Sequence, residues 1–575
     1  MKYPLNISGP QQLLQMSWKD FQPAYQELIE QELNQENLKT WLADWTTLSE
    51  WSDEFYNRLY VAVSINTMDS EAEKRFEKYM GDYYPNFQAA DQKMKEKFLA
   101  SGLQVDGFEI ARRNMQAEVD LYCEENLPLF VEEEKINSEH DKVIGAQTLT
   151  WQGQEKTARQ MEVVLRETDR ETRRQGWELL AERQLQDRQA INEQWMRYME
   201  LRQQVTANAK LPDYRTFRWR LYNRFDYTPQ DCKAFHQAIE DVVVPAVGRV
   251  TERRKRVLGI ESARYYDLFV DPSNQPPLKP FSNVKELIEK ASAIFAHVHP
   301  KFGEYFAQMA EEGLLDLDNR KNKANGGYCT YFSHARRPFI FSNAVGIHDD
   351  VQTLLHEGGH SFHAYEAFKL PYFQQYCESN VPTEFAEVAS MAMEFLTLPY
   401  ISREFGGFYS ETDAARARAE HIESDIRFWP YMAIVDAFQH WVYENPEEGS
   451  QPDNCDAKWA ELERRFRPEI DWSGYEDVMM TGWQRKDHIH HIPFYYVEYG
   501  LALLGAVQVW RNSLNDQRAA VEQYRQALAL GGTASLPELF HAAGAKLAFD
   551  NETLREAVEL MEDQLLKNEQ VYSYS

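Results

Sequence analysis

Residues 355–362, which read Leu-His-Glu-Gly-Gly-His-Ser-Phe, constrain the fold of this chain more than any other stretch. They contain the pattern His-Glu-x-x-His at His356, Glu357 and His360. Because residues four apart share one face of a helix, the two imidazoles can bind a single metal ion. Zinc is bound by histidine nitrogens at about 2 Å, and two histidines supply half of a tetrahedral site. Glu357 lies about 100° further round the helix, where it can act as a general base toward metal-bound water.

The sequence on either side favours a helix with one face for the core and another for chemistry. Asp349 and Asp350 are predicted to cap its N-terminus, where their negative charge is favourable. His356, His360 and His363 fall on one side of the helix. The opposite side carries an apolar stripe at helical spacing, made of Val351, Leu354, Leu355, Gly358 and Phe362.

Two glycines, Gly358 and Gly359, lie in the interior of this predicted helix. Each costs about 1 kcal/mol relative to alanine at such a position. We therefore expect another part of the chain to approach this backbone closely. The alternative is a chance match, with two surface histidines and a solvated glutamate, and the helix context disfavours it.

The bulk composition excludes several functional classes. The 575 residues are 43% hydrophobic and 13% aromatic, which is incompatible with a disordered chain. Acidic residues outnumber basic residues by 91 to 62, for a net charge of -29. Proteins that bind nucleic acids or anionic membranes favour basic surfaces, so we expect neither partner.

The cysteines and the N-terminus indicate a reducing compartment. The first eight residues contain no apolar core of signal-peptide length, and no run approaches the roughly 18 apolar residues of a membrane span. We therefore expect a cytoplasmic protein without a membrane partner. The five cysteines are too widely spaced for a disulfide framework or a Cys-x-x-Cys site: Cys123, Cys232, Cys329, Cys377 and Cys455.

Apolar periodicity predicts a mostly α protein. Residues 11–140 read as successive amphipathic helices, and a short hairpin is predicted at residues 145–156. Helix resumes over residues 157–210, and the proline-rich residues 271–282 form the clearest loop. Two β-rich runs within residues 326–343 predict a hairpin just before the metal-binding helix. A strand there can pair with an extended peptide backbone, although a purely structural small sheet is equally compatible with the sequence.

A zinc site needs a third protein ligand beyond the two histidines. The metzincin pattern fails, because its glycine position holds His363 and its last histidine position holds Glu366. A later predicted helix, residues 381–394, supplies carboxylates instead, and one of these can orient a ligand imidazole. Periodicity leaves open which of the first two binds the metal. Three glutamates share roughly one face of that helix: Glu384, Glu387 and Glu394.

Residues 356–363 and 385–394 together resemble the thimet oligopeptidase and oligoendopeptidase F family of zinc metallopeptidases. The resemblance extends over residues 326–500 and more weakly over most of the chain, whose length suits the oligoendopeptidase F branch. It implies that Glu387 is the third zinc ligand and that Glu394 occupies the family's second acidic position. It also implies two helical lobes around a deep substrate channel, with a small β-sheet next to the zinc-binding helix.

On this basis we expect two domains. Residues 1–195 would form an N-terminal helical lobe, and residues 196–575 the zinc metallopeptidase catalytic domain. A deep channel would admit oligopeptides and exclude folded proteins, so short peptides are the expected partners and one Zn²⁺ ion is the expected cofactor.

A late stretch, residues 487–499, is rich in histidine and tyrosine. Pro493 can open a helix there, on which three tyrosines lie within an arc of about 100°. A phenol donates a hydrogen bond while neutral, which suits a developing oxyanion. The resemblance implies that a histidine and tyrosines of this stretch contact the substrate and transition state. The candidates are His490, His491, Tyr496 and Tyr499.

The exact roles in this stretch stay open. The register departs from the thimet branch, in which a further tyrosine occupies the position of Ala502. Packing in the core is the alternative for each tyrosine, Tyr495 included. His334, His348 and His488 receive no role, because surface or core histidines are the default.

The sequence therefore predicts a zinc metalloendopeptidase that hydrolyses internal bonds of oligopeptides by Glu357-assisted attack of zinc-bound water. A zinc carboxypeptidase on a similar helical scaffold is the nearest enzymatic alternative. A non-catalytic peptide-binding protein is the other, and it would be expected to have lost a ligand or the base.

Overall fold

The structure is a computed structural model that describes residue 5 and residues 7–273, 275–324 and 326–573. Asn274 of the predicted loop and residues 1–4 and 6 of the N-terminal stretch lie outside the described residues. The protein is mostly α, as predicted from the sequence, with two small sheets.

The first half of the chain contains thirteen described α-helices. In chain order they are α1 (Pro10–Leu13), α2 (Trp18–Glu30), α3 (Leu38–Ile65), α4 (Ser70–Lys78), α5 (Tyr84–Ser101), α6 (Glu109–Leu121), α7 (Leu127–Gly145), α8 (Ala158–Met161), α9 (Arg170–Leu185), α10 (Arg188–Asn208), α11 (Tyr214–Leu221), α12 (Pro229–Ala238) and α13 (Val244–Leu258). The two strands of this part are β1 (Thr148–Trp151) and β2 (Gln154–Thr157).

The second half contains the other described helices and strands. The helices are α14 (Val284–Val298), α15 (Pro300–Glu311), α16 (His348–Ala367), α17 (Thr383–Thr397), α18 (Glu411–Glu444), α19 (Pro446–Gly449), α20 (Pro452–Phe466), α21 (Glu476–Met480), α22 (Asp487–His490), α23 (Val497–Asn515), α24 (Gln517–Leu528), α25 (Leu536–Ala542) and α26 (Asn551–Ser573). The strands are β3 (Leu315–Asp318), β4 (Tyr328–Phe332) and β5 (Arg337–Ala344).

The chain divides into two compact units, each assembled from three separate stretches. The first unit comprises Met1–Asp120, Lys279–Ala414 and Gly505–Leu547, and the second comprises Leu121–Leu278, Ala415–Leu504 and Ala548–Ser575. The predicted division at residues 195/196 differs, since it falls inside α10. Apolar periodicity carries information only about residues that are close in sequence. The two units, in contrast, form by contacts between segments that are far apart in the chain.

An aromatic core fills the first unit between α2, α3, α5 and α6. The indole of Trp41 donates to the carbonyl oxygen of Leu28 at 3.0 Å, and the Tyr25 and Tyr83 hydroxyls meet Oγ of Ser52 at 2.9 and 2.7 Å. These polar atoms are therefore satisfied although their side chains are fully buried. In the second unit α7 packs on α10, and buried Arg173 is paired with Asp267 at 3.0 Å.

Both predicted hairpins are confirmed. Strands β1 and β2 pair antiparallel across Gln152 and Gly153, whose φ angles of 50° and 78° fit a type I′ turn. Strands β4 and β5 also pair antiparallel, with Thr330 opposite Phe339. Strand β3 was not predicted from the sequence; it pairs parallel with β5 and completes a sheet of order β3-β5-β4. The residues of β3, Leu-Asp-Leu-Asp, do alternate apolar and polar side chains, but the alternation spans only four residues and aspartate is depleted in strands.

Candidate metal centre

Helix α16 carries the His-Glu-x-x-His pattern and begins at His348, with Ile347 as its N-cap residue. Asp350 was predicted as an N-cap and instead lies in the first turn. Its Oδ2 accepts from the backbone N–H groups of Val345, Gly346 and Ile347 at 2.8, 2.7 and 3.0 Å. From the first turn of the helix, the carboxylate of Asp350 therefore accepts hydrogen bonds from the N-cap residue and the two residues before it, whose N–H groups have no partner within the helix.

The apolar stripe of α16 is buried, as predicted. Val351, Leu354, Leu355 and Phe362 are at most 1% exposed. The helix packs against β5, α14 and α17. The chemistry-bearing side chains consequently emerge from the other side of a helix that is fixed in the core.

The two glycines of α16 permit close approach by neighbouring elements, as expected. A Cβ atom on Gly359 would lie 2.5 Å from the carbonyl oxygen of Ala389 and 2.6 Å from Cα of Ser390, both in the backbone of α17. A Cβ atom on Gly358 would lie 2.5 Å from Cζ of Phe295. Helices α16 and α17 can therefore approach backbone to backbone only with glycine at 359.

Three predicted ligands meet between these helices. Oε2 of Glu387, on α17, lies 3.4 Å from Nε2 of His356 and 3.7 Å from Nε2 of His360. Ligand atoms of the three residues all lie within 4.8 Å of one another. Two imidazole nitrogens and one carboxylate oxygen fit a zinc ion that keeps a fourth position open. Glu384, the alternative third ligand, lies one turn earlier on α17 and is not part of this cluster.

The carboxylates around His356 create a site that favours positive charge. Burial opposes a proton on His356, but hydrogen bonds from the ring to Glu387 and Glu394 raise its pKa well above the usual value. Burial alone would raise the pKa of Glu387, but the His356 hydrogen bond and the charges of both histidines lower it to about 2. A divalent cation can replace the proton that this arrangement holds.

Glu394 lies behind the cluster. Its Oε1 is 2.8 Å from Nδ1 of His356, the ring nitrogen that points away from Glu387. Ser390 similarly supports Glu387, since its hydroxyl donates to Oε2 at 3.0 Å. Such outer hydrogen bonds fix the tautomer and orientation of a metal-binding imidazole.

The predicted base, Glu357, is 7% exposed on the same helix. Burial raises its pKa to about 7, while the charge of His356 and the backbone N–H of Cys329 act in the opposite direction. Cys329 belongs to β4, which lies at one edge of the three-stranded sheet. On that strand the carbonyl oxygen of Tyr331 accepts from Nδ2 of Asn57 at 2.9 Å.

Two other histidines of α16 are structural. His363 is 5% exposed with its ring edge-on to Phe385, and burial lowers its pKa to about 3. Nδ1 of His348 lies 2.7 Å from the hydroxyl of Tyr409. Neither joins the cluster of His356, His360 and Glu387.

The second unit contains the histidine- and tyrosine-rich stretch. His490 is fully buried, with its ring stacked on His140 at 4.5 Å between centroids and edge-on to Trp195 at 5.5 Å. Nε2 of His491 lies 3.2 Å from Nδ1 of His140. Thus both predicted histidines contact His140 of α7, and His490 also contacts Trp195 of α10, within this unit.

The tyrosines Tyr496 and Tyr499 instead surround His488, a histidine that received no role from the sequence. The centroid of its ring lies 4.9 Å from that of Tyr496 and 5.9 Å from that of Tyr499. The predicted helix start at Pro493 is wrong: Phe494 has a φ of 68°, so α23 begins only at Val497. Three histidines in four positions signal an unusual segment, but spacing alone cannot show which ring faces the tyrosines.

The sequence pattern of Peptidase family M3 matches residues 163–559. The chain belongs to this family. Within it, the relatives and solved structures place the chain in the oligoendopeptidase F branch. The oligopeptidase PepF of Bacillus subtilis (strain 168) is 24% identical over 336 residues, which cover 57% of this chain and 47% of the relative. The plasmid-borne oligoendopeptidase F of Lactococcus lactis subsp. cremoris is 24% identical over 392 residues, covering 66% and 59%.

A solved structure shares this fold over nearly the whole chain. PZ peptidase A with an inhibitor superposes with a TM-score of 0.85 at 26% identity, covering 98% of both chains. This M3 chain spans about half the length of the curated relatives it matches. Among its described residues no helix combines the length and apolarity that crossing a bilayer requires.

Proposed function

We propose that this M3 family member is a zinc-dependent metalloendopeptidase that hydrolyses internal bonds of short peptides. The observation that carries the proposal is the convergence of His356, His360 and Glu387, with Glu394 hydrogen-bonded behind His356. The oligopeptidase and oligoendopeptidase names of the relatives support the substrate class.

The donor set favours zinc among the divalent metals. Two imidazoles and one carboxylate are borderline ligands that suit Zn²⁺ better than Mg²⁺ or Ca²⁺, which take oxygen ligands. When bound, zinc would polarise the scissile carbonyl and lower the pKa of a water toward about 7. The partly buried Glu394–His356 hydrogen bond would hold the imidazole lone pair toward the ion.

Glu357 is the proposed general base. Its side chain lies beside the ligand histidines on a helix fixed by core packing, and the N–H of Cys329 is directed to its carboxylate. Glu357 would take a proton from the attacking water and deliver it to the leaving amine. Because the carboxylate is buried, it exchanges this proton with the reacting groups rather than with bulk solvent.

We assign the oxyanion donors to His488, Tyr496 and Tyr499 rather than to His490 or His491. His490 is fully buried among aromatic rings, and His491 is engaged by His140. The ring of His488 contacts both tyrosines, so the three side chains form one group of hydrogen-bond donors. Donors of this kind typically contribute about 10²–10³ in rate.

Edge strand β4 is the proposed guide for the peptide backbone. It packs against α16 and carries Cys329, whose N–H faces Glu357. An extended peptide that pairs with a sheet edge gains sequence-independent hydrogen bonds. The predicted deep channel and its exclusion of folded proteins stay predictions.

The proposal is tested by incubating the zinc-loaded protein with a decapeptide blocked at both ends and identifying products by mass spectrometry. Internal cleavage that stops with a chelator and returns with zinc is the expected result. An intact blocked peptide, together with stepwise loss of residues from an unblocked one, would instead indicate a carboxypeptidase. Binding of both peptides without cleavage would indicate a non-catalytic binding protein.

A further inference from the structure

A second cluster of metal-binding side chains lies in the second unit and has no part in the proposed reaction. Nδ1 of His140 and Nε2 of His491 face each other at 3.2 Å. Oδ1 of Asp141 lies 3.8 Å from the same nitrogen of His491. Ligand atoms of all three residues lie within 4.8 Å of one another.

The dimensions of this cluster match those of the candidate zinc centre. There the distances from Glu387 to the two histidine nitrogens are 3.4 and 3.7 Å. Ligand atoms at about 2.0–2.1 Å from a tetrahedral ion are separated by roughly 3.4 Å. The second cluster thus has both the chemistry and the spacing of a two-histidine, one-carboxylate site.

The surroundings hold the two imidazoles in place and leave the carboxylate accessible. His140 is fully buried on α7, with its ring between those of His490 and His491. The side chains of His491 and Asp141 are 20% and 67% exposed, respectively. An ion could therefore enter from solvent and keep one or more water ligands.

We propose that His140, Asp141 and His491 bind a second divalent transition-metal ion of the zinc class. The ion would cross-link α7 to the segment that follows α22. Because the two nitrogens already converge, binding requires little rearrangement, and the ion replaces an imidazole–imidazole contact by two metal–nitrogen bonds. The inference is independent of the proposed peptidase activity.

A third cluster, formed by Cys232, Asp436 and His440, provides a contrast. There Nη1 of Arg215 lies 3.2 Å from Nδ1 of His440, and His236 is paired with Asp436 at 2.7 Å. A fixed guanidinium charge beside the histidine opposes a cation, and the carboxylate already has a partner. We therefore assign the second ion to His140, Asp141 and His491 alone.

The test counts bound ions in metal-free protein titrated with Co²⁺, by equilibrium dialysis and by the visible absorption of the bound cobalt. We expect two equivalents for the parent and one for His491→Ala. A double His356→Ala, His360→Ala variant should keep one equivalent, and adding His491→Ala to it should abolish binding. His541→Ala, which removes an exposed histidine at the end of α25, should leave two equivalents.

A fifth variant, Asp141→Asn, changes an exposed side chain and should weaken only the second equivalent. Circular dichroism of each metal-free variant shows whether it is folded. A single equivalent in the parent that disappears in the folded double His356→Ala, His360→Ala variant would overturn the proposal and leave the His140–His491 contact as a simple N–H···N hydrogen bond. Two equivalents in folded His491→Ala would overturn it as well.

Discussion

Oε1 of Glu394 lies 2.8 Å from Nδ1 of His356, while Nε2 of the same ring faces Glu387 at 3.4 Å. The imidazole is thus held between two carboxylates from one helix, α17. In the proposed zinc centre the two carboxylates would have different roles: Glu387 would supply an oxygen to the ion, and Glu394 would set the tautomer that presents the lone pair of Nε2.

Replacing Glu394 by Gln should weaken zinc binding without removing a ligand. We expect the dissociation constant to rise about 10–100-fold, as for other outer-shell partners of metal-binding histidines. Competition with a chromophoric chelator measures it. Glu404→Gln, at an exposed position of the same unit, is the control and should bind zinc like the parent. Equal affinities for Glu394→Gln and the control would contradict the role of Glu394.

Replacing Gly359 by Ala should force α16 and α17 apart. The new Cβ atom would lie 2.5 Å from a backbone oxygen of α17, which cannot move without the helix. We expect a loss of about 1–3 kcal/mol in stability, typical of overpacking, and weaker zinc binding because Glu387 moves with α17.

Gly248→Ala supplies the matched control for this substitution. Gly248 lies inside α13, and a Cβ atom added there would have no other atom within 4 Å. Alanine at this position should therefore be neutral or stabilise by about 1 kcal/mol. Melting temperatures of the metal-free proteins give the comparison. If Gly359→Ala has the same melting temperature as Gly248→Ala, the close contact between α16 and α17 is not required for stability.

Replacing His488 by Gln should lower turnover by about 10²–10³ if this ring stabilises the oxyanion. The zinc content and the KM should change little, since the donor acts in the transition state rather than in the bound substrate. His541→Gln is the histidine control. A His488→Gln variant with the turnover of the parent would show that the oxyanion donors lie elsewhere.

Asp53 should make the stability of the metal-free protein depend on pH. Burial raises the pKa of Asp53 to about 7. The hydrogen bond from the Ser333 hydroxyl lowers this pKa, and the negative charge of Glu378 raises it. The folded state then holds a proton that the unfolded chain releases near pH 4, so stability is lost as pH rises from about 4 to 7. Asp53→Asn should remove this component. Parallel stability–pH curves for parent and variant between these values would refute it.

The sequence predicts the metal helix well because its constraints are local. Ligand spacing, the apolar stripe and the two glycines of α16 all lie within one helix, and the structure agrees with each. The resemblance to known metallopeptidases was needed to prefer Glu387 over Glu384, since periodicity places both on one face. Strand β3 and the three stretches that make up each unit could not be predicted, because they depend on contacts between segments that are separated in sequence.

The histidines of residues 487–499, in contrast to those of α16, could not be placed from local sequence spacing. His488, His490 and His491 are nearly adjacent, yet His488 faces the tyrosines whereas His490 and His491 both contact His140. The positive φ of Phe494 delays α23 by four residues relative to Pro493, and this turn sets which ring meets the tyrosines. Such a conformation at a phenylalanine has no sequence signature.

The most direct test of this mechanism measures internal cleavage of the end-blocked decapeptide by parent and Glu357→Gln proteins with equal, verified zinc content. We predict that the variant keeps zinc and fold but loses about 10²–10⁴ in turnover, because glutamine cannot accept the proton. Glu404→Gln should cleave like the parent. Cleavage by Glu357→Gln at the rate of the parent, with the same internal products, would contradict the assignment of Glu357 as the base.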